Sequence, residues 1–290
     1  MLSAHHLLSG WNTMKIMNDN ISQQDALRAR YGAAMPVVGP WNDHLSLLLS
    51  HRSVRAYAPD PLPAGTLETL VAAGQSAATS SNLQVWSVVA ITDPVKKAKL
   101  AEYAGGQKHI EQCPLFLIWV ADLARNQRVG AEAGIEMESA AYLETFLVAA
   151  IDAALAAQNA VIAAESLDLS TVYIGAMRNQ PEAVAEMLGL PLGTMAVFGL
   201  CVGYAADGAE GEVKPRLPQP AVLFQERYGV ADEAALRAAY DEEMGAFSRR
   251  QNMVSESWSG RVRERMGPLA AMKGRDRLKE IVRKLGFPLR

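Results

Sequence analysis

The sequence predicts a chain that mixes α-helices with β-strands around a sizeable apolar core, and three observations carry that prediction. Half of the 290 residues are apolar, enough to fill the interior of one large domain or two ordinary ones. Two continuous apolar runs, 114–121 and 196–204, have the length and composition of strands buried on both faces. Between them, residues 139–167 form an Ala- and Leu-rich segment that is apolar almost all round, so it belongs at the centre of the fold or at a subunit interface.

The remaining elements follow in chain order. A first helix is expected over 18–31, entered at Asn20 or Ser22 and stopped at Gly32. A second covers 42–50, with Leu45, Leu48 and Leu49 on one side. A third covers 66–77, where the small Gly74 and Ala78 permit close approach of a neighbour. A strand over 86–92 and a helix opened by Pro94 precede the first buried run. In the long helix Asp152, Gln158, Asn159 and Glu165 require hydrogen-bond partners if buried. A strand over 171–176, a helix over 181–188 and the second buried run continue the mixture. From Tyr228 onward, three charged amphipathic stretches (231–248, 258–266, 275–285) lack the apolar fraction for a core of their own, so a partner subunit is the expected surface for them.

Composition narrows the function. A net charge of −3 without a long Lys/Arg run argues against nucleic acid as a partner. The polar residues of the longest apolar segment argue against a membrane span. Cys113 and Cys201 lie beside or inside apolar runs and read as buried thiols in a reducing compartment. The start of the chain has no basic n-region, which fits a cytoplasmic protein with a loose leader, and His5 and His6 lack a third ligand, so no metal site is expected.

Several short polar stretches remain. His51, Arg52, Ser53 and Arg55 pack an imidazole, two guanidiniums and a hydroxyl into five positions, donors suited to phosphate oxygens. A surface Arg pair bonded to nearby carboxylates is the equally open alternative. Thr79, Ser80, Ser81 and Asn82 form a second hydrogen-bonding platform or an ordinary turn. Gly105 and Gly106 let the backbone approach a ligand beside Gln107, or simply make a turn. Ile174, Gly175 and Ala176 end a strand in small residues, and Lys214 and Arg216 supply a second pair of cations. No Gly-x-Gly-x-x-Gly, P-loop, Gly-x-Ser-x-Gly or His-Glu-x-x-His is present. Together the surviving stretches suit a ligand with a phosphate tail and a flat heterocycle rich in donors and acceptors, a description of FMN.

In order, HRSVRAY, TSSNLQVW, GGQKHI, DAALAAQNA, YIGAMRN and KPRLP resemble the nitroreductase superfamily, most closely its oxygen-insensitive NADPH nitroreductase and NADPH-flavin reductase branch, over roughly residues 45–285. The resemblance implies an α+β fold with a central mixed sheet flanked by helices, and an interwoven homodimer with FMN at each of two interface pockets. It divides the chain into a leader with one helix (1–40), an FMN-binding core (41–227) and a helical extension on the partner subunit (228–290). By the same resemblance His51, Arg52, Ser53, Lys214 and Arg216 hold the phosphate end, and Arg55 faces the pyrimidine edge. Thr79 to Asn82 come from the opposite subunit, Gln107 reads the ring, and Gly175 and Ala176, after Ile174, present backbone N–H groups near N5. No catalytic side chain is implied, because the flavin carries the electrons from NADPH to a small-molecule acceptor such as a nitroaromatic or quinone. A flavin reductase, or a flavin-binding protein without catalysis, is the alternative. Arg249 and Arg250 are expected either to meet the 2′-phosphate of NADPH or to be solvated helix-end arginines. Two departures stand out: Ala176 where the family has a second glycine, and Asp168 where a helix-ending glycine is common.

Overall fold

A computed structural model describes residues 22–209, 211–230, 232–254 and 257–290. His5, His6 and the first residues of the helix expected over 18–31 lie outside the described residues. Helix α1 (Gln23–Tyr31) begins where the Ser22 side chain accepts the Asp25 N–H and ends at Gly32, whose φ of 57° suits a residue without Cβ. Helix α2 (Asp43–Ser50) is capped by Asn42 in the same way. The extended segment after it leads to α3 (Thr66–Gln75). Next come β1 (Trp86–Ile91), α4 (Pro94–Tyr103), entered through an Asp93 cap and a first-turn proline, and the short α5 (Lys108–Gln112). Strand β2 (Leu115–Asp122) is buried at every residue, as its uninterrupted apolar run requires.

The chain continues through α6 (Ala124–Ala133), α7 (Leu143–Ser166), β3 (Ser170–Ile174), α8 (Pro181–Leu188) and β4 (Thr194–Gly203). It closes with α9 (Glu233–Arg250), α10 (Trp258–Met266) and α11 (Leu278–Lys284). The strands form one sheet in the order β1-β2-β4-β3, and each ladder is antiparallel. Its parallel component is a bridge from Ser53 to Thr171 at the β3 edge. Gly175 and Ala176 lie just past β3, in a 3₁₀ turn over Gly175–Asn179, rather than in the strand itself.

Each face of the sheet has its own core. On one, Phe116, Ile118, Val172, Ile174 and Cys201 pack with Leu100 of α4 and Ile110 of α5. Cys113 and Cys201 are both buried there as free thiols. On the other, Ala153, Ala156, Ala157, Ala160 and Ala164 bring α7 close to Leu117, Trp119 and Leu200. Small residues at these positions allow that approach, and Gly74 extends it to α3: a Cβ on Gly74 would sit 3.2 Å from the Ala156 carbonyl oxygen.

At 24 residues, α7 is long and apolar enough to cross a membrane. The four polar side chains that the sequence singled out instead bond within the fold. Asp152 Oδ1 accepts the Ser80 N–H at 3.1 Å, Gln158 accepts the Tyr173 hydroxyl, Asn159 donates to Ala73, and Glu165 meets His51. Its remaining face, Leu143, Leu147, Ile151 and Leu155, is 44–55 % exposed. Asp168, after α7, adopts φ 59° where the sequence suggested a glycine-like position.

The closing helices divide in two. Val282 and Phe287 insert against Val85, Leu123, Ala149 and Met195 of the same chain, and the Gly193 N–H donates to Leu285. In α9, Tyr240, Met244 and Phe247 bury themselves with Leu217 and Trp258. Helix α10 buries no residue fully.

The β2–β4 pairing leaves no room at Gly199, where an added Cβ would stand 2.3 Å from the Phe116 ring. Gly199→Ala is expected to lower the denaturant midpoint by the equivalent of about 1–3 kcal/mol with an unchanged slope, the usual cost of overpacking a dense core. An unaltered midpoint contradicts the packing described for the sheet centre.

Candidate functional site

Leaving α2 at His51, the backbone becomes extended and is stitched to the sheet edge. The Val54 N–H donates to Thr171 and the Ala58 N–H to Tyr204, each at 3.0 Å, while the Ala206 N–H donates to Ala56. Val54 and Tyr57 are buried by this pairing, and Arg52, Ser53 and Arg55 stay exposed. A second arm returns beside the first, carrying Gly211, Glu212, Lys214 and Arg216. The arms enclose a cavity of ≈ 270 Å³, closed on the α9 side by Phe247, Gln251 and Met253.

Arg30 fastens the arms together. Its guanidinium, on a residue only 5 % exposed, donates to the carbonyls of Leu49 and His51 on one arm and to that of Lys214, at 2.8 Å, on the other. Its own carbonyl accepts the Arg216 N–H at 2.9 Å. Burial, aided by the nearby Arg216, pushes its pKa down to about 10, which leaves it charged at neutral pH. The His51 ring is aimed by α7, with Nδ1 2.6 Å from Glu165 Oε1, and that oxygen also accepts from Thr171 at 3.4 Å.

Among the described residues the cavity carries more positive than negative charge. Burial and then Arg55, Arg261 and Arg216 hold the Lys214 ammonium below the ordinary lysine range. Among the described residues neither Arg52 nor Arg55 has an acidic partner; their nearest acceptors are the carbonyls of Gly211 and Ser53, at 3.4 and 3.3 Å. Glu212 is the one carboxylate among the lining residues, and it is taken by Arg250 at 2.9–3.2 Å. An anion with several oxygens completes such a donor set.

The fold thus brings together His51, Arg52, Ser53, Arg55, Lys214 and Arg216. Thr79, Ser80, Ser81 and Asn82 do not line this cavity. They form a turn beside α7 in which Ser81 and Asn82 hold φ of 49° and 54°. Gln107 is also apart, donating to Ala104 at 3.0 Å, after Gly105 and Gly106 at φ 81° and 78°. Gly175 lines a separate hollow of ≈ 400 Å³ with Gln158, Tyr173, Arg178 and Phe198, while Ile174 and Ala176 are buried next to it.

Sequence reasoning overlooked Arg30, Glu212 and the apolar wall of Phe247 and Met253. A signal for Arg30 existed: it follows Ala26 and Leu27 at helical spacing and shares their buried face, where an arginine must have several acceptors.

Two variants separate the clamp from the charge it holds. Arg30→Met takes a donor from each of three carbonyls and is expected to cost about 2–4 kcal/mol in chemical unfolding. Lys214→Met is expected to do the reverse in the ligand-free protein. A base whose folded pKa is depressed opposes folding at pH values below that pKa, and the opposition fades as pH rises through it toward the ordinary value of 10.5. The variant should therefore melt above wild type at pH 7, with the gap narrowing by pH 10; a lower melting point at pH 7 contradicts the assignment.

The model for the nitroreductase family matches residues 48–204, and that for the nitroreductase family C-terminal domain matches 214–290. The chain is 37 % identical over 221 residues to an oxygen-insensitive NADPH nitroreductase from Salmonella typhimurium, covering 76 % of this chain and 89 % of the relative. It is 37 % identical over 251 residues to an FMN reductase (NADPH) from Bacillus subtilis, covering 85 % and 98 %. Among solved structures, that of B. megaterium NfrA2 superposes with a TM-score of 0.80 at 35 % identity, over 86 % of this chain and 100 % of the other. With matching family models across both its sheet and its closing helices, this chain belongs to the nitroreductase family.

Proposed function

We propose that the protein is an FMN-dependent oxidoreductase that uses NADPH to reduce small electron acceptors such as nitroaromatics and quinones. The observation that carries the reading is the cation cavity: two arms of one chain deliver Arg52, Ser53, Lys214 and Arg216 around a space with no free carboxylate among the described residues. Forked guanidiniums, an ammonium and a hydroxyl are the donor chemistry of a phosphate site, and FMN ends in a phosphate. The names of the Salmonella and Bacillus relatives support both the nicotinamide donor and the flavin.

In this reading the phosphate end rests on Arg52, Ser53, Lys214 and Arg216, with His51 held in place by Glu165. Arg55, on the same arm, puts positive charge where the pyrimidine edge becomes negative on reduction. Gly175 and Ala176 offer backbone N–H groups to the ring, and Gln107, whose amide nitrogen is engaged by Ala104, offers its oxygen. When bound, FMN supplies the redox chemistry, accepting a hydride from NADPH and passing two electrons to the acceptor. The protein's residues need to bind, orient and exclude water, and no side-chain acid or base is required.

The working unit is a cytoplasmic homodimer. The exposed Leu143, Leu147, Ile151 and Leu155 of α7, continued by Leu83, Tyr173 and Phe198, form an apolar face suited to a second copy. Seating that copy brings Thr79, Ser80, Ser81 and Asn82 to the partner's ring. Residues 41–227 make the flavin-binding core and 228–290 the extension, whose α10, exposed over its last turn, rests on the partner. The second reading, a flavin reductase that releases reduced FMN, draws on the Bacillus relative's name.

The test is the colour of the protein. Purified dimer is expected to be yellow and to bleach with about one equivalent of NADPH per flavin under anaerobic conditions, then recover on addition of a nitroaromatic or quinone. A colourless protein that takes up no FMN, or a yellow one that NADPH fails to bleach, overturns the proposal. Arg52→Ala and Lys214→Ala should each weaken FMN binding about ten-fold or more in a flavin titration, the loss of a charge-assisted hydrogen bond.

A further inference from the structure

We infer that Glu212 sets the preference between NADPH and NADH by occupying Arg250, the cation that the 2′-phosphate of NADPH would otherwise meet. The inference rests on the reading of Arg249 and Arg250, at the end of α9, as the patch for that phosphate. It adds a residue that weakens the patch.

The observation is the state of the two arginines. Arg250 is held by both oxygens of Glu212, with Nε at 3.0 and 3.2 Å and an outer nitrogen at 2.9 Å. Arg249 has no ion pair among the described residues. Among the described residues Glu212 is also the only acidic one lining a cavity otherwise edged by His51, Arg52, Arg55, Lys214 and Arg216, yet its carboxylate pairs with Arg250 and with none of them. Arg250 keeps the Glu212 carboxyl below its usual range, so the group is ionised at neutral pH.

A 2′-phosphate approaching Arg250 must displace this carboxylate and then lie beside it, whereas the 2′-hydroxyl of NADH does neither. The pair is open to solvent, its side chains 51 % and 44 % exposed, so its effect is modest. Exposed ion pairs of good geometry are worth up to about 1 kcal/mol, which corresponds to roughly a five-fold change in affinity.

The experiment uses redox-inert probes on the FMN-loaded protein: adenosine 2′,5′-bisphosphate and 5′-AMP, compared by calorimetric titration in wild type, E212Q, R250A and the double variant. The ratio of the two affinities isolates the 2′-phosphate from the rest of the nucleotide. E212Q is expected to raise that ratio about three- to five-fold in favour of the bisphosphate, R250A to lower it, and E212Q to change nothing further once Arg250 is gone. The ratio of kcat/KM for NADPH over NADH should follow the same order. If R250A leaves the ratio at its wild-type value, the phosphate patch itself is misplaced and the inference goes with it. If R250A lowers the ratio while E212Q leaves it unmoved, the patch stands and the role given to Glu212 is wrong. A gain from E212Q that persists without Arg250 also refutes masking, since Glu212 would then be repelling the phosphate directly.

Discussion

Two strands of chain with like charge do not lie side by side unless something holds them, and here the holder is itself a cation. Arg30 spends its guanidinium on carbonyls of both arms, so their backbones converge while their ammonium and guanidinium groups face the cavity. Carbonyl dipoles compensate the buried charge of Arg30, and the charges of Arg52, Arg55, Lys214 and Arg216 remain for a ligand. The depressed Lys214 ammonium records the cost of that arrangement in the free protein. A site of this kind gives up stability for affinity, and a polyanion restores it on binding.

The long helix α7 connects this clamp to everything else. Its alanines let the sheet approach, its Glu165 aims His51, and its Asp152 holds the backbone of Ser80 at the start of a turn with two residues in the left-handed region. Its outer face carries the exposed leucines to which a second copy is assigned. One rigid element therefore sets the position of the cation-bearing arm and of that turn. The apolar length that makes it resemble a membrane span serves a helix packed on a sheet on one side and carrying, on the other, the apolar face on which a second copy is proposed to sit.

Much of this was legible in the sequence. The buried runs around Ile118 and Leu200 have only one way to satisfy their apolar side chains, and Gly32 and Asp93 mark helix ends by local chemistry. The pairing of the segment 51–55 with 214–216 was legible as composition, because both carry cations without acids. Helix α6 was not: half of its residues are polar, the rest are small apart from Val129, and it buries only Ala124 and Gly130, so its apolar face is too thin to announce a core helix. The clamp of Arg30 depends on carbonyls, which every residue has, and so leaves no mark in the distant partners. The closing helices mislead for a related reason: Val282 and Phe287 are two isolated anchors in charged surroundings, yet they enter the chain's own core. Thr79 to Asn82 and Gln107 stand away from the cation cavity, and the role expected for Thr79 to Asn82 depends on assembly rather than on the fold of one chain.

The central claim is that the converged cations read a phosphate. It is tested most directly by comparing the affinity of flavin-free protein for FMN and for riboflavin, which share the ring and differ in that one group. Several charge-assisted hydrogen bonds to phosphate predict that FMN binds at least about a hundred-fold more tightly, with the advantage shrinking as salt is added. Equal affinity for the two flavins would contradict the account.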